Sequence, residues 1–151
     1  LDFYISGQER SNFVILQEFV EGAEEGDVRV LVLNGEPIGA YKRVPASGEV
    51  RANIKVGGTG VKHQLTKREK IICKKIGPKL VADGLYFVGL DIINNKLIEI
   101  NVVSPGGITR INKFNRVKLE KKIIDFIENV VDKKEKAINR KRELKRMIDE
   151  A

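Results

Sequence analysis

Tryptophan is absent from these 151 residues, and cysteine, histidine and methionine occur once each. A lone cysteine, Cys73, closes no internal disulfide, which excludes a stapled secreted scaffold and points to a reducing, cytoplasmic compartment. No zinc-ligand spacing exists, and no serine sits in a GxSxG elbow. His63 follows Lys62 with no acidic neighbour in sequence to orient it, and Cys73 falls on an apolar helical face, so a cysteine–histidine nucleophile is not expected. Aromatic residues are only 6% of the chain. None is interleaved with a basic run, as a stacking platform for single-stranded nucleic acid requires. Long hydrophobic runs are lacking too. The apolar stretch from Val28 to Leu33 is broken by Arg29 and falls far short of the ~20 residues of a membrane span. Neither membrane nor nucleic acid is therefore expected as a partner.

What is present is 42% hydrophobic and 32% charged, the balance of a soluble globular chain. The net charge is +7, of which residues 132–151 contribute +3 through eight basic and five acidic residues. A solvated helical face, or a site for a multiply charged phosphate ligand, accounts for that excess. The chain opens LDFYISGQER, without an initiator methionine or a signal pattern, and reads as cut from something longer.

Along the chain, FVILQEF (13–19) has the β-branched and aromatic content of a strand, and EGAEEGD then reads as a loop. DVRVLVL and EPIGAYKRV flank Asn34-Gly35, the left-handed turn pair of a tight hairpin. From Pro45 to Gly60 the sequence is glycine-rich with no sustained apolar period, which predicts a long mobile loop. Thr66 and Glu69 have capping-box spacing, so a helix starts there. Its apolar positions run from Ile71 to Val81, it is interrupted at Gly77-Pro78, and Asp83-Gly84 ends it. LYFVGLDII and KLIEINVV form a second hairpin around Asn94-Asn95. Leu119, Ile123, Ile124, Ile127, Val130 and Val131 make one apolar stripe, a helix expected to close the core, and a thinner stripe continues into the charged tail. Two tight hairpins without crossover helices favour α+β with a mostly antiparallel sheet flanked by helices.

The second hairpin carries the sharpest chemical signal. Glu99 and Asn101 share a strand face, and with Asp91 they offer hard oxygen donors suited to Mg²⁺. Register decides whether all three cooperate. A plain two-residue turn sets Asp91 opposite Ile98 and on the wrong face for Glu99; a three-residue loop or one bulge sets Asp91 opposite Glu99. The plainer alternative is a pair of half-exposed acids at a sheet surface. Arg29, in the middle of an apolar strand, must be ion-paired or ligand-binding. Gly57-Gly58-Thr59-Gly60 is not a Walker A loop, but with Arg51 and Asn53 such a segment can cover an anion and exclude water.

Four ordered blocks, QEFVEGAEEGDVRVLVLNGEPIGAYKRVP, GEVRANIKVGGTG, IGPKLVADGLYFVGLDII and EINVVSPGGI, resemble the C-terminal ATP-grasp portion of bacterial-type glutathione synthetases. The resemblance implies the large ATP-grasp subdomain over residues 1–131, with the N-terminal substrate domain and the lysine-bearing small subdomain absent, and a charged helical tail over 132–151. It implies an ATP-dependent ligase that joins γ-glutamylcysteine to glycine through an acyl phosphate, with ATP and Mg²⁺ (or Mn²⁺) as cofactors, acting as a homo-oligomer when full-length. The fragment alone is expected to be inactive. By the same resemblance Glu18, Phe19 and Val20 hold adenine, Asp27 the ribose, and Asp91, Glu99 and Asn101 the metal. Arg29 and Arg51 are catalytic, Arg29, Asn53 and Ser104 meet substrate, and Arg51, Asn53, Gly57 and Gly58 belong to a lid over Val44–Thr59. The sequence departs from the family at Gly106-Gly107 and in the tail. Another ATP-grasp carboxylate–amine ligase, of the type that adds glutamate to a ribosomal protein, and a non-catalytic basic binding module are the alternatives.

Overall fold

The computed structural model describes residues 17–46 and 57–149. Its strands are β1 (Asp27–Leu33), β2 (Glu36–Val44), β3 (Thr59–Lys62), β4 (Phe87–Ile93) and β5 (Lys96–Asn101), and its helices are α1 (Lys67–Ala82), α2 (Ile108–Asn115) and α3 (Leu119–Asp149). A short 3₁₀ turn, Ala23–Glu25, precedes β1. The strands form one antiparallel sheet in the order β3-β2-β1-β4-β5, the α+β architecture expected.

Both hairpins turn as their asparagines require. Asn34 and Gly35 adopt φ of 50° and 80°, Asn94 and Asn95 of 44° and 61°, the left-handed pairs whose twist matches the flanking strands. Each hairpin then carries one bulge, leaving Ile38 unpaired in the first and Ile98 in the second. The sheet faces divide the chemistry. Val28, Val30, Val32, Ala40, Val88, Leu90 and Ile92 form one face and pack with Cys73 and Leu80 of α1. On the other face, Leu31 and Tyr41 pack with Ile111 of α2 and Leu119 of α3. Strand β1 is buried along its whole length because helices cover both sides, which is why its apolar run does not alternate.

The capping box forms as predicted: Glu69 N–H donates to Thr66 Oγ1 at 3.2 Å, and Thr66 N–H donates to Glu69 Oε2 at 2.7 Å. Pro78 does not interrupt α1, which continues to Ala82. Pro78 is exposed, so its missing amide falls on the solvent side. Four further points differ from expectation. Residues 17–19, the described end of the proposed first strand, have no regular structure; Phe19 is 64% exposed, and strand propensity without a pairing partner is insufficient. Thr59 and Gly60 belong to β3 rather than to a loop. Helix α2 was not anticipated. And α3 closes the core only at Leu119 and Ile123, with Ile124, Ile127 and Val131 exposed.

Cys73 is fully buried, and burial pushes its thiol up to about 11. At pH 8 the native chain should react with iodoacetamide roughly two orders of magnitude more slowly than the urea-unfolded chain, because so little thiolate is present. Equal rates would show that α1 does not seal this position.

Candidate functional site

At the Asp27 end of β1 the second sheet face turns from apolar to ionic. Register alone brings the groups together: Asp27 pairs with Arg43, Arg29 with Asp91, and Asp91 with Glu99. The bulge at Ile98 thus produces the odd register that a shared oxygen site requires, with Asp91, Glu99 and Asn101 on one face. Arg29 lies against Asp91 through Nε and Oδ1, and through Nη2 and Oδ2 at 2.8 Å. Arg43 bridges two acids, donating to Asp27 from Nε at 2.9 and 3.0 Å and reaching Asp91 Oδ2 from Nη2 at 2.9 Å. Asn101 Nδ2 donates to the same Asp91 oxygen at 3.1 Å. Two cations and two anions therefore balance, all with nearly buried side chains.

The surroundings explain why the cluster is tolerated. A Cβ on Gly89 would lie 3.3 Å from Arg29 Cδ and Nη1 and 3.2 Å from Pro105 Cβ, so glycine leaves the guanidinium room to cross β4. Arg29 Nη1 also lies 3.5 Å from the Gly106 carbonyl oxygen. Burial opposes ionisation of Asp91, but hydrogen bonds from Arg29 and the charge of Arg43 and Arg29 outweigh it and hold the carboxyl below its usual value. Burial likewise opposes the charge on Arg43, and Asp27 and Asp91 reverse the effect and keep it protonated. Arg29 is thus ion-paired, one of the two roles its position allowed.

The oxygen donors fit a hard cation such as Mg²⁺ in type: two carboxylates and an amide on one face, beside arginines suited to phosphate. Asp91 would share Oδ2 with its arginines, and Asn101 would have to turn its carbonyl oxygen toward the ion. Among the described residues no cluster of three or more His, Cys, Asp or Glu side chains is poised for a metal.

Other expected site residues are scattered. Glu18 and Phe19 are exposed and Val20 half-buried in the segment before the 3₁₀ turn. Asp27 has both oxygens engaged by Arg43. Ser104 is exposed after β5 with φ 48°. Gly57 is exposed with φ 98°, and Gly58 is buried. Arg51 and Asn53 lie outside the described residues. Arg43 was missed; its signal was the first hairpin, where the same turn-plus-bulge count sets Arg43 opposite Asp27. His63 does have an acidic partner, Glu69 Oε2 at 2.9 Å, supplied by α1 rather than by its sequence neighbours. That pair lines a cleft of about 470 Å³ on the α1 face, with Lys42 and Glu25. None of Asp27, Arg29, Asp91, Glu99 and Asn101 lines it, so this cleft and the ionic cluster occupy different faces.

Residues 3–116 match the family described as prokaryotic glutathione synthetase, ATP-grasp domain. The glutathione synthetase of Gloeobacter violaceus is 49% identical over 114 residues, 76% of this chain and 35% of the relative. That of Synechocystis sp. is 46% identical over 124 residues, 82% of this chain and 39% of the relative. A solved ATP-grasp ligase, PsnB complexed with minimal precursor, overlays 58% of this chain and 28% of its own at TM-score 0.39 and 17% identity, too slight a likeness to argue from. With its antiparallel sheet and acid–arginine face, the chain carries an ATP-grasp domain. It belongs to the prokaryotic glutathione synthetase family, and it spans little more than a third of the length of the curated relatives it matches.

Proposed function

We propose that the ionic face is part of the active site of an ATP- and Mg²⁺-dependent ligase that joins γ-glutamylcysteine to glycine. The observation that carries this reading is the bulge at Ile98, which sets Asp91 opposite Glu99 with Asn101 on the same face. Asp91, Glu99 and Asn101 would hold Mg²⁺ or Mn²⁺, which when bound neutralises charge on the nucleotide phosphates. Arg29 and Arg43 add fixed positive charge beside it. In this reading the peptide carboxylate attacks the γ-phosphorus of ATP, the bond to ADP breaks, and the glycine amine then displaces phosphate from the acyl carbon and loses a proton to water. Such chemistry asks the protein mainly for positioning and charge stabilisation, which explains why no nucleophile is needed.

The remaining roles follow the same reading. Backbone groups of Glu18, Phe19 and Val20 hold adenine, and Asp27 is shared between Arg43 and the ribose. Arg29 and Ser104 meet the peptide substrate. Arg51, Asn53, Gly57 and Gly58 belong to a segment that keeps water from the acyl phosphate. By itself the chain is inactive.

The test joins this chain to the part of the Gloeobacter violaceus synthetase it does not match and measures phosphate release. Release should require ATP, γ-glutamylcysteine and glycine together. Glu99 is exposed, so Glu99→Gln should leave folding intact while lowering kcat roughly 10²–10³-fold, the scale of losing one group that stabilises developing charge. An unchanged rate in Glu99→Gln would remove the metal assignment. Phosphate release with glutamate but not glycine as acceptor would transfer the assignment to a glutamate-adding ligase.

A further inference from the structure

Two arginines of the ionic face are answered by acids, and a third reaches the same face from the helix layer above it. Gly60 of β3 lies opposite Arg43, which lies opposite Asp27, so these three positions point to one side of the sheet. A Cβ on Gly60 would lie 3.2 Å from Arg110 Cδ and 3.6 Å from Arg110 Nε. The Arg110 side chain therefore crosses β3 on that side, through the space that glycine leaves. Helix α2 fixes it there. The next residue, Ile111, is buried against Leu31 and Tyr41. A Cβ on Gly107, just before the helix, would stand 2.7 Å from Tyr41 Cε1, so α2 starts hard against the sheet.

Charge separates Arg110 from its neighbours. Asp91 engages Arg29, and Asp27 and Asp91 engage Arg43, whereas among the described residues no carboxylate pairs with Arg110. Arg110 is half-buried, so its charge gives up part of its hydration without a counter-charge in return. Such a guanidinium suits an anionic ligand, which its planar fork grips at two points. Position narrows the anion. Strand β3 lies three strands from β4, about 14 Å at ~4.8 Å per strand, so phosphates held by a metal at Asp91 and Glu99 belong to the far side of the face. The other anions in the proposed reaction are carboxylates. γ-Glutamylcysteine reacts through one and keeps a second, and glycine keeps its own. We propose that Arg110 is a substrate-binding residue that holds a non-reacting carboxylate, of the peptide or of glycine, at the β3 side of the ionic face. This role rests on the ligase reading and adds to it a residue of α2, a helix that carries none of the expected site residues. A contact to a non-reacting group is the same before and during the chemical step, so its loss raises KM and spares kcat.

The test uses the full chain joined to the Gloeobacter violaceus portion, as above. Arg110→Met keeps the stem over Gly60 and removes the fork. It should raise the KM of one of the two carboxylate substrates about 10–100-fold, the scale of one hydrogen-bonded charge, with the KM of ATP, kcat and the thermal melt unchanged. The KM that rises names the carboxylate. Arg110→Lys should recover part of the loss, because it restores the charge without the fork. Gly60→Val fills the space the stem crosses and should raise the same KM while leaving Arg110 in place. Turnover with both carboxylate KM values unchanged in Arg110→Met would overturn the role of Arg110 and leave the ligase reading intact, as would a rise confined to the KM of ATP. No turnover by the unaltered joined protein would remove the ligase reading, and the role of Arg110 with it.

Discussion

Replacing Asp91 with alanine is expected to cost about 3–5 kcal/mol of stability, the scale of stripping one partner from a buried ion pair. Asp91 answers two guanidinium groups at once, Arg29 at 2.8 Å and Arg43 at 2.9 Å, and accepts from Asn101 at 3.1 Å. With the carboxylate gone, Asp27 still answers Arg43, but Arg29 keeps only the Gly106 carbonyl oxygen at 3.5 Å. A charge with 9% of its side chain exposed cannot recover that loss from water. Against a total of about 5–15 kcal/mol for an ordinary domain, the variant should be partly unfolded, and urea titration measures the loss. Arg29→Met in the Asp91→Leu background should recover much of it, since an apolar pair of similar volume needs no counter-charge. A loss below about 1 kcal/mol for Asp91→Ala would show that the cluster does not hold the sheet.

The same interaction sets a pH dependence. Asp91 titrates below its ordinary value in the folded chain, so the unfolded chain binds a proton first. Its stabilising contribution is complete above the unfolded value near 3.9 and is lost as pH falls below that toward the depressed folded value. Wild-type stability should fall steeply below about pH 4, and Asp91→Ala should show a shallower acid limb.

Gly77→Ala is expected to destabilise by about 1–3 kcal/mol or more, opposite in sign to the gain of about 1 kcal/mol that alanine brings to an open helical site. Gly77 lies in α1, where a Cβ would stand 2.3 Å from the Gly35 backbone oxygen and 3.1 Å from its carbonyl carbon. The obstacle is backbone of the first hairpin turn, and Gly35 itself sits at φ 80°, so neither side yields by a rotamer change. Helix α1 would have to lift off the sheet, opening the layer around Cys73 and Leu80. Thermal melts beside Ala82→Gly, at an exposed position of the same helix, separate propensity from clash. If Gly77→Ala melts above wild type, helix and turn are not in contact there.

Much of this was legible because the deciding forces are local. Asn34-Gly35 and Asn94-Asn95 announce left-handed turns, and Thr66 with Glu69 announces a helix start. The metal reading required either a three-residue loop or one bulge, and a bulge occurs at Ile98. What escaped was set by partners distant in sequence. Helix α2 is eight residues long, follows Gly107 without a side-chain cap, and is short for an independent helix; its only sequence trace is Ile108, Ile111 and Phe114 at intervals of three. Ile111 is buried against Leu31 and Tyr41, and that burial makes the segment helical. His63 seemed unpartnered because Glu69 lies one helix start away.

By itself, then, the amino-acid sequence determined the hairpins, the capped helix, the antiparallel class and the family, since turn chemistry, periodicity and ordered motifs are properties of neighbouring residues. Only the tertiary structure decided that Arg43 joins Asp27, Arg29 and Asp91 in one balanced cluster, that Gly77 must be glycine, and that α3 leaves the core after Ile123. Each of those depends on which faces meet across the sheet, and burial then sets the energy of every charge and every missing Cβ.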